Sequence, residues 1–218
     1  EEGPQSHKVK SGTPLFGGLF FGIPLLLAGI LAALVQPALW RAVWICGLML
    51  FSGAIGFTDD YIKVRIDREG LSPRRKTVWM LLVDVVFVTV YLYFLPDPPV
   101  LLLPFSERIL PVTGVWKPLY GLALILYLYF MVNAVNLNDG VDGLCPSVTA
   151  VASLSIGVSA ALAASRVPGA ASSVVIMAGT AGGCLGFLPY NRHKAKVFMG
   201  DTGSFLLGAS VTGAALIA

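Results

Sequence analysis

The chain has 218 residues, of which 56% are hydrophobic and 12% charged, with a formal net charge of +3. Ordinary soluble domains carry roughly 25% charged residues, so this balance excludes a water-solvated surface over most of the chain, and no nucleic-acid partner is expected. Cys46, Cys145 and Cys184 lie in or beside apolar runs without a CxxC pattern or a Cys/His cluster, which argues against a disulfide framework or a zinc site.

A membrane-spanning helix needs about 20 mostly apolar residues. Seven stretches qualify or come close: 16–35, 42–58, 77–95, 119–137, 148–165, 172–189 and 202–218. Within them the one charge is Asp84, expected to make an interhelical hydrogen bond rather than to do chemistry. Barrel strands alternate polar with apolar residues, and runs such as 119–137 do not, so helices are predicted. The fold class is all-α, a polytopic membrane helix bundle. The chain opens on Glu1-Glu2-Gly3 and closes inside an apolar run. The expectation is a single transmembrane domain over 1–218, with further spans missing at both ends.

Assigning the connections alternately to two sides sorts the basic residues. Lys8, Lys10, Lys63, Arg65, Arg68, Arg74, Arg75, Lys76, Arg192, Lys194 and Lys196 fall on one side, and Arg41, Arg108, Lys117 and Arg166 on the other. The first side is therefore expected to face the cytoplasm. The outer connection 96–118 holds Pro96, Pro98, Pro99, Pro104, Pro111 and Pro118 and reads as a structural connector. Its Val100–Leu103 run is expected to pair as a short strand or to touch the interface.

The acidic residues then become informative in chain order. Asp59 and Asp60 end the second span, Asp139 and Asp142 end the fourth, and Asp201 opens the seventh, all on the basic side. Adjacent carboxylates such as Asp59 and Asp60 suit metal binding or proton abstraction, although a solvated helix end paired to Lys63 and Arg65 accounts for them equally well. Gly70-Leu-Ser-Pro-Arg-Arg-Lys76 places Ser72 as a cap, Pro73 at the first helical position and three cations that could clamp a phosphate. Asn133, Asn136, Asp139 and Asp142 recur every third residue, which predicts one polar helical face. Its amides and carboxylates can bond a nucleobase edge or sugar hydroxyls. Gly200-Asp-Thr-Gly-Ser204 opens a helix, where free N–H groups suit phosphate and the carboxylate suits Mg²⁺. His7 and His193 are isolated in sequence.

Taken together, Gly3-Pro-Gln-Ser-His7 through Thr13-Pro14 and Gly17-Gly18, Asp59-Asp-Tyr-Ile-Lys63, Gly70-Leu-Ser72, Asn133–Leu144 and Lys196-Val-Phe-Met-Gly-Asp-Thr-Gly-Ser204 resemble the phospho-N-acetylmuramoyl-pentapeptide transferases. That family lies within the polyprenyl-phosphate N-acetylhexosamine-1-phosphate transferases. The likeness runs in order over nearly the whole chain. It implies ten helices, of which these would be the second to eighth, in the bacterial cytoplasmic membrane, with the active site facing the cytoplasm and often a homodimer. It implies transfer of phospho-MurNAc-pentapeptide from UDP-MurNAc-pentapeptide to undecaprenyl phosphate, giving lipid I and UMP, with Mg²⁺ as cofactor. By the same resemblance Asp59, Asp60 and Asp201 are catalytic, with Asp201 on the metal. Asp59 and Asp60 would organise or deprotonate the lipid phosphate. Asn136, Asp139 and Asp142 would contact nucleoside and sugar, Phe198 the uracil, and Lys10, Lys63 and Lys76 the phosphates. One-step attack and a covalent aspartyl intermediate both fit these residues. The sequence departs from the family at Asn138, Arg192 and Lys194. A sibling transferase acting on UDP-GlcNAc is the nearest alternative. A secondary transporter is less suited, because transporters place coupling charges near the midplane.

Overall fold

The structure, a computed structural model, describes residues 14–95, 100–102, 109–167 and 169–217. Lys10, His7 and the prolines at 96, 98, 99 and 104 lie outside the described residues. Seven α-helices follow one another: α1 (Gly18–Val35), α2 (Trp40–Arg65), α3 (Pro73–Tyr93), α4 (Trp116–Asn138), α5 (Leu144–Ala163), α6 (Ala170–Asn191) and α7 (Gly200–Ile217). A short 3-10 turn, Pro37–Leu39, leads into α2. Between α3 and α4, β1 (Val100–Leu102) pairs antiparallel with β2 (Ile109–Pro111), Leu101 opposite Leu110. Of the 100–103 run, Val100–Leu102 thus pairs as a strand.

Several helices are longer than the apolar stretches that predict them. α2 runs past residue 58 to Arg65, so Asp59 and Asp60 are helical rather than terminal. Hydropathy sees only the lipid-immersed part of a helix, whereas backbone hydrogen bonding continues into the polar zone until something ends it. At α3 the entry is as expected, with Ser72 in the cap position and Pro73 first, although the Ser72 hydroxyl makes no capping bond.

The outer surface of the bundle is apolar. Phe20, Leu34 and Leu162 are 77%, 73% and 81% exposed, an arrangement that water would penalise and lipid does not. Six spans among the described residues are long and apolar enough to cross a membrane, and the protein is a multi-pass membrane protein. α7 is the exception in composition: it is rich in Gly, Ser and Thr, yet it is buried along almost its whole length. It packs against α1, α2, α4, α5 and α6, so its neighbours are helices rather than lipid. Small residues permit that close approach. A Cβ at Gly56 on α2 would collide with the backbone of Asp201 and Thr202. Large side chains fill the remaining core, among them Ile45, Met49, Leu128, Ile176 and Phe205. Two polar links tie α6 to α7: Ser173 Oγ donates to the Ala214 carbonyl at 2.8 Å, and Thr180 Oγ1 to Ser210 Oγ at 3.3 Å.

Alternating helix direction gathers the start of α1, α3, α5 and α7 and the end of α2, α4 and α6 at one end of the bundle. The contacts there bear this out. Gly17 and Gly18 donate to the carbonyls of Phe198 and Met199 at 2.8 and 3.0 Å. Gly143, at the start of α5, donates to Asn191 Oδ1, at the end of α6, at 3.0 Å. The predicted clustering of polar motifs on a single face is therefore a property of the fold.

Asp84 lies within α3, 3% exposed. The interhelical hydrogen bond expected for it is not found at Oδ2, which is buried with no hydrogen-bond partner among the described residues. Its surroundings on α3 are apolar, with Met80, Phe87 and Val88 also buried.

Candidate active site

The site starts from two adjacent carboxylates that a helix forces apart. Neighbouring residues do not share a helical face, and Asp59 and Asp60 accordingly serve different partners. Asp60 reaches α7. Its Oδ1 accepts the N–H of Asp201 at 3.1 Å, and its Oδ2 accepts the N–H and hydroxyl of Thr202 at 2.8 and 2.6 Å. A carboxylate on free N–H groups at a helix start is favourable through both the hydrogen bonds and the helix dipole. Asp60 thus caps α7 from another helix. Gly200 has φ of +72°, and a Cβ there would strike the Asp60 carboxyl, so the turn into α7 demands glycine twice over.

Asp59 turns the other way. Its Oδ1 accepts the Leu71 N–H at 2.7 Å, which fixes the 66–72 loop over the end of α2. Its Oδ2 forms ion pairs with Lys63, one turn on, and with Lys76 of α3 at 3.0 Å. Gly70, with φ of +73°, makes this possible, since a Cβ would press on Asp59 Oδ1 at 2.8 Å.

Asp201 sits between these groups. Lys76 and Lys63 reach its Oδ2 at 2.7 and 3.2 Å. Asn136 of α4 donates to its Oδ1 at 2.9 Å and stands 2.9 Å from Ser204 Oγ. Asp59 is fully buried and Asp60 1% exposed, whereas the Asp201 side chain keeps 17% exposure. Two ammonium groups therefore bridge Asp59 and Asp201, from α2 and α3, while α4 steadies Asp201 through an amide. Buried charges are tolerated when paired in this way.

Three carboxylates facing two ammonium groups leave a formal excess of negative charge beside the one carboxylate that is partly open. Oxygen atoms of Asp59, Asp60 and Asp201 lie within 4.8 Å of one another. An all-oxygen donor set of this kind fits a hard divalent cation. The cluster could bind a metal ion, and the two lysines meanwhile compensate its charge.

The remaining predicted residues are placed as follows. Asn133 and Asn136 share a helix, but α4 stops at Asn138, so Asp139 and Asp142 belong to the turn into α5. The single four-residue polar face expected from the spacing is not formed. Gly140 and Gly143 lie in that turn, and Gly143, the residue before α5, takes φ of +76°, a conformation that favours glycine. Asn133 bonds back to the Tyr129 carbonyl at 2.7 Å. Asp142 instead holds the 192–199 loop, accepting the Ala195 N–H at 3.2 Å and lying 3.8 Å from His193 Nδ1. Phe198 lies in the same loop, half-buried, and its N–H donates to the Pro14 carbonyl at 2.9 Å. The structure thus brings Asp59, Asp60, Lys63, Lys76, Asn136 and Asp201 into direct contact, with Phe198 on the loop leading into Asp201 and Asp142 bonded to that loop from the α4–α5 turn. Arg74 and Arg75 are exposed, and Lys10 lies outside the described residues.

Sequence reasoning missed Asn191. It is 1% exposed, accepts from Gly143, and donates to the Val197 carbonyl at 3.0 Å. It clamps the α4–α5 turn to the loop before α7. The signal available was a lone amide just past an apolar stretch.

Comparison with known proteins yields the following. The family described as glycosyl transferase family 4 matches residues 41–218. A protein of Desulforamulus reducens named phospho-N-acetylmuramoyl-pentapeptide-transferase is 38% identical over 218 residues, covering 99% of this chain and 63% of its own length. Proteins of the same name from Nostoc punctiforme and Clostridioides difficile are 38% and 36% identical, covering 100% and 97% of this chain and 57% and 62% of their own lengths. The chain thus spans about 60% of the length of these relatives.

Proposed function

Because this chain belongs to glycosyl transferase family 4, we propose that it carries the membrane-embedded site that transfers phospho-MurNAc-pentapeptide from UDP-MurNAc-pentapeptide to undecaprenyl phosphate, forming lipid I and UMP. The observation that carries this reading is Asp201, partly open at the start of α7 and bridged to Asp59 by Lys63 and Lys76. The shared name of the relatives supplies the substrate class. The protein sits in the bacterial cytoplasmic membrane as a homodimer, with its basic face and the site toward the cytoplasm.

In the reaction, an oxygen of the lipid phosphate attacks the sugar-linked phosphorus, and the bond to the UMP oxygen breaks. Such transfers depend mainly on positioning and charge neutralisation. Asp201 would hold Mg²⁺, with Asp59 and Asp60 close enough to contribute. When bound, that ion supplies neutralisation of the pyrophosphate and stabilisation of the leaving UMP. The chain's own side chains do the rest. Lys63 and Lys76 release Asp201 and turn their ammonium groups to phosphate oxygens, joined by Lys10. Asp60 holds α7 in register, and Asp59 holds the two lysines and the 66–72 loop. Between the two roles implied by resemblance for this pair, organising the site is favoured by their hydrogen bonds. Asn136, Asp139 and Asp142 meet the nucleoside and sugar, with Phe198 near the uracil.

The test is acceptor dependence. Full-length protein in detergent should release UMP from UDP-MurNAc-pentapeptide only when a polyprenyl phosphate and Mg²⁺ are both present. UMP release that continues at an equal rate without the lipid would identify a hydrolase and overturn the proposal.

A further inference from the structure

The 192–199 loop carries charge that the site does not use. Arg192, Lys194 and Lys196 are all exposed, and none makes an ion pair among the described residues; Asp142 is turned instead to His193 and Ala195. Directly beneath the loop, between α1 and α6, lies an apolar groove with a volume of about 720 Å³. Phe20, Pro24, Ala28, Gly183 and Gly186 line it, and Tyr190 and Val197 close its upper end. Those last two residues flank the basic loop in sequence, and the Lys196 N–H donates to the Tyr190 carbonyl at 2.8 Å. The loop is thereby held over the groove mouth. The groove runs from mid-span to the basic end of the bundle, the direction and depth an acyl chain takes from its headgroup.

We infer that this groove and loop form a binding site for an anionic diacyl phospholipid, with one acyl chain between α1 and α6 and the phosphate among Arg192, Lys194 and Lys196. Charge complementarity selects the occupant. Basic pockets between spanning helices hold anionic headgroups, and a zwitterionic lipid would gain little from three unpaired cations. No residue of the acidic cluster lines the groove, and the lipid site does not depend on the reaction proposed above.

Native mass spectrometry of the full-length protein, titrated with phosphatidylglycerol or chain-matched phosphatidylcholine, tests this. The unaltered protein should bind at least one phosphatidylglycerol about tenfold more tightly than phosphatidylcholine. Two variants should each lose that preference. Arg192→Ala, Lys194→Ala and Lys196→Ala combined removes the headgroup contacts. Gly186→Leu fills the groove, and because a Cβ at Gly186 meets nothing within 4 Å it should leave the melting temperature unchanged. Equal affinity for the two lipids, or undiminished phosphatidylglycerol binding in the triple variant, would overturn the inference. Displacement of phosphatidylglycerol by undecaprenyl phosphate at equal concentration would also overturn it, reassigning the groove to the acceptor lipid.

Discussion

The surroundings of Asp201 favour a metal ligand over a helix cap. A capping role would leave its carboxylate on the N–H groups of its own helix. The first N–H groups of α7, those of Asp201 and Thr202, are held by Asp60, and the Asp201 carboxylate goes to two lysines and Asn136. Asp201→Asn keeps size and hydrogen-bonding capacity but removes the charge that a hard cation requires. Loss of several kcal/mol of transition-state stabilisation should lower turnover by orders of magnitude while the fold is retained. Asp84→Asn also removes a carboxylate, from the packed interior of α3, and should stay near normal. Were Asp201 only a cap, asparagine would serve almost as well, so near-normal UMP release by the Asp201→Asn protein would end the metal assignment.

Among the elements, α7 decides whether the site assembles, because it lays Asp201 against α2 and α4 at once. The α2–α7 approach depends on Gly56, where a Cβ meets the Asp201 backbone. Gly56→Ala should therefore cost about 1–3 kcal/mol by overpacking and weaken activity by shifting Asp201. Gly47→Ala, on the same helix but with nothing within 4 Å of its Cβ, should be neutral or slightly stabilising. Unfolding in detergent measures both, and equal stability of the two variants would contradict the packing argument. The same helix shows what sequence could reveal. That Asp59, Asp60 and Asp201 share one end of the bundle was legible, because span lengths are local properties and their number sets which helix ends fall together. The bond from Asp60 to α7 joins residues 141 apart, and no local pattern encodes it. The Asn133–Asp142 spacing misled because a three-residue repeat fits a helix, while α4 ends at Asn138 and Asp142 falls in the turn that follows. Asn191 offered only a lone amide past an apolar stretch, because its two partners come from different loops.

At the scale of the whole molecule, the proposed orientation would tie the site to the compartment that holds nucleotide-sugars. Cys46, Cys145 and Cys184 are all buried and should not react with an aqueous thiol reagent. Single cysteines introduced at Arg68 and Lys194 should resist a membrane-impermeant reagent in intact cells, and one at Val115, which is 82% exposed, should react. Labelling at Arg68 from outside would reverse the topology and move the site out of reach of its proposed donor. The central claim, that this face performs muramoyl-peptide phosphotransfer, is most directly tested by competition. Full-length protein with undecaprenyl phosphate and Mg²⁺ is given UDP-MurNAc-pentapeptide and UDP-GlcNAc together, and the lipid-linked product is identified by mass. Undecaprenyl-pyrophosphoryl-MurNAc-pentapeptide alone should form, whereas a product carrying GlcNAc, with none carrying the muramoyl peptide, would contradict the assignment.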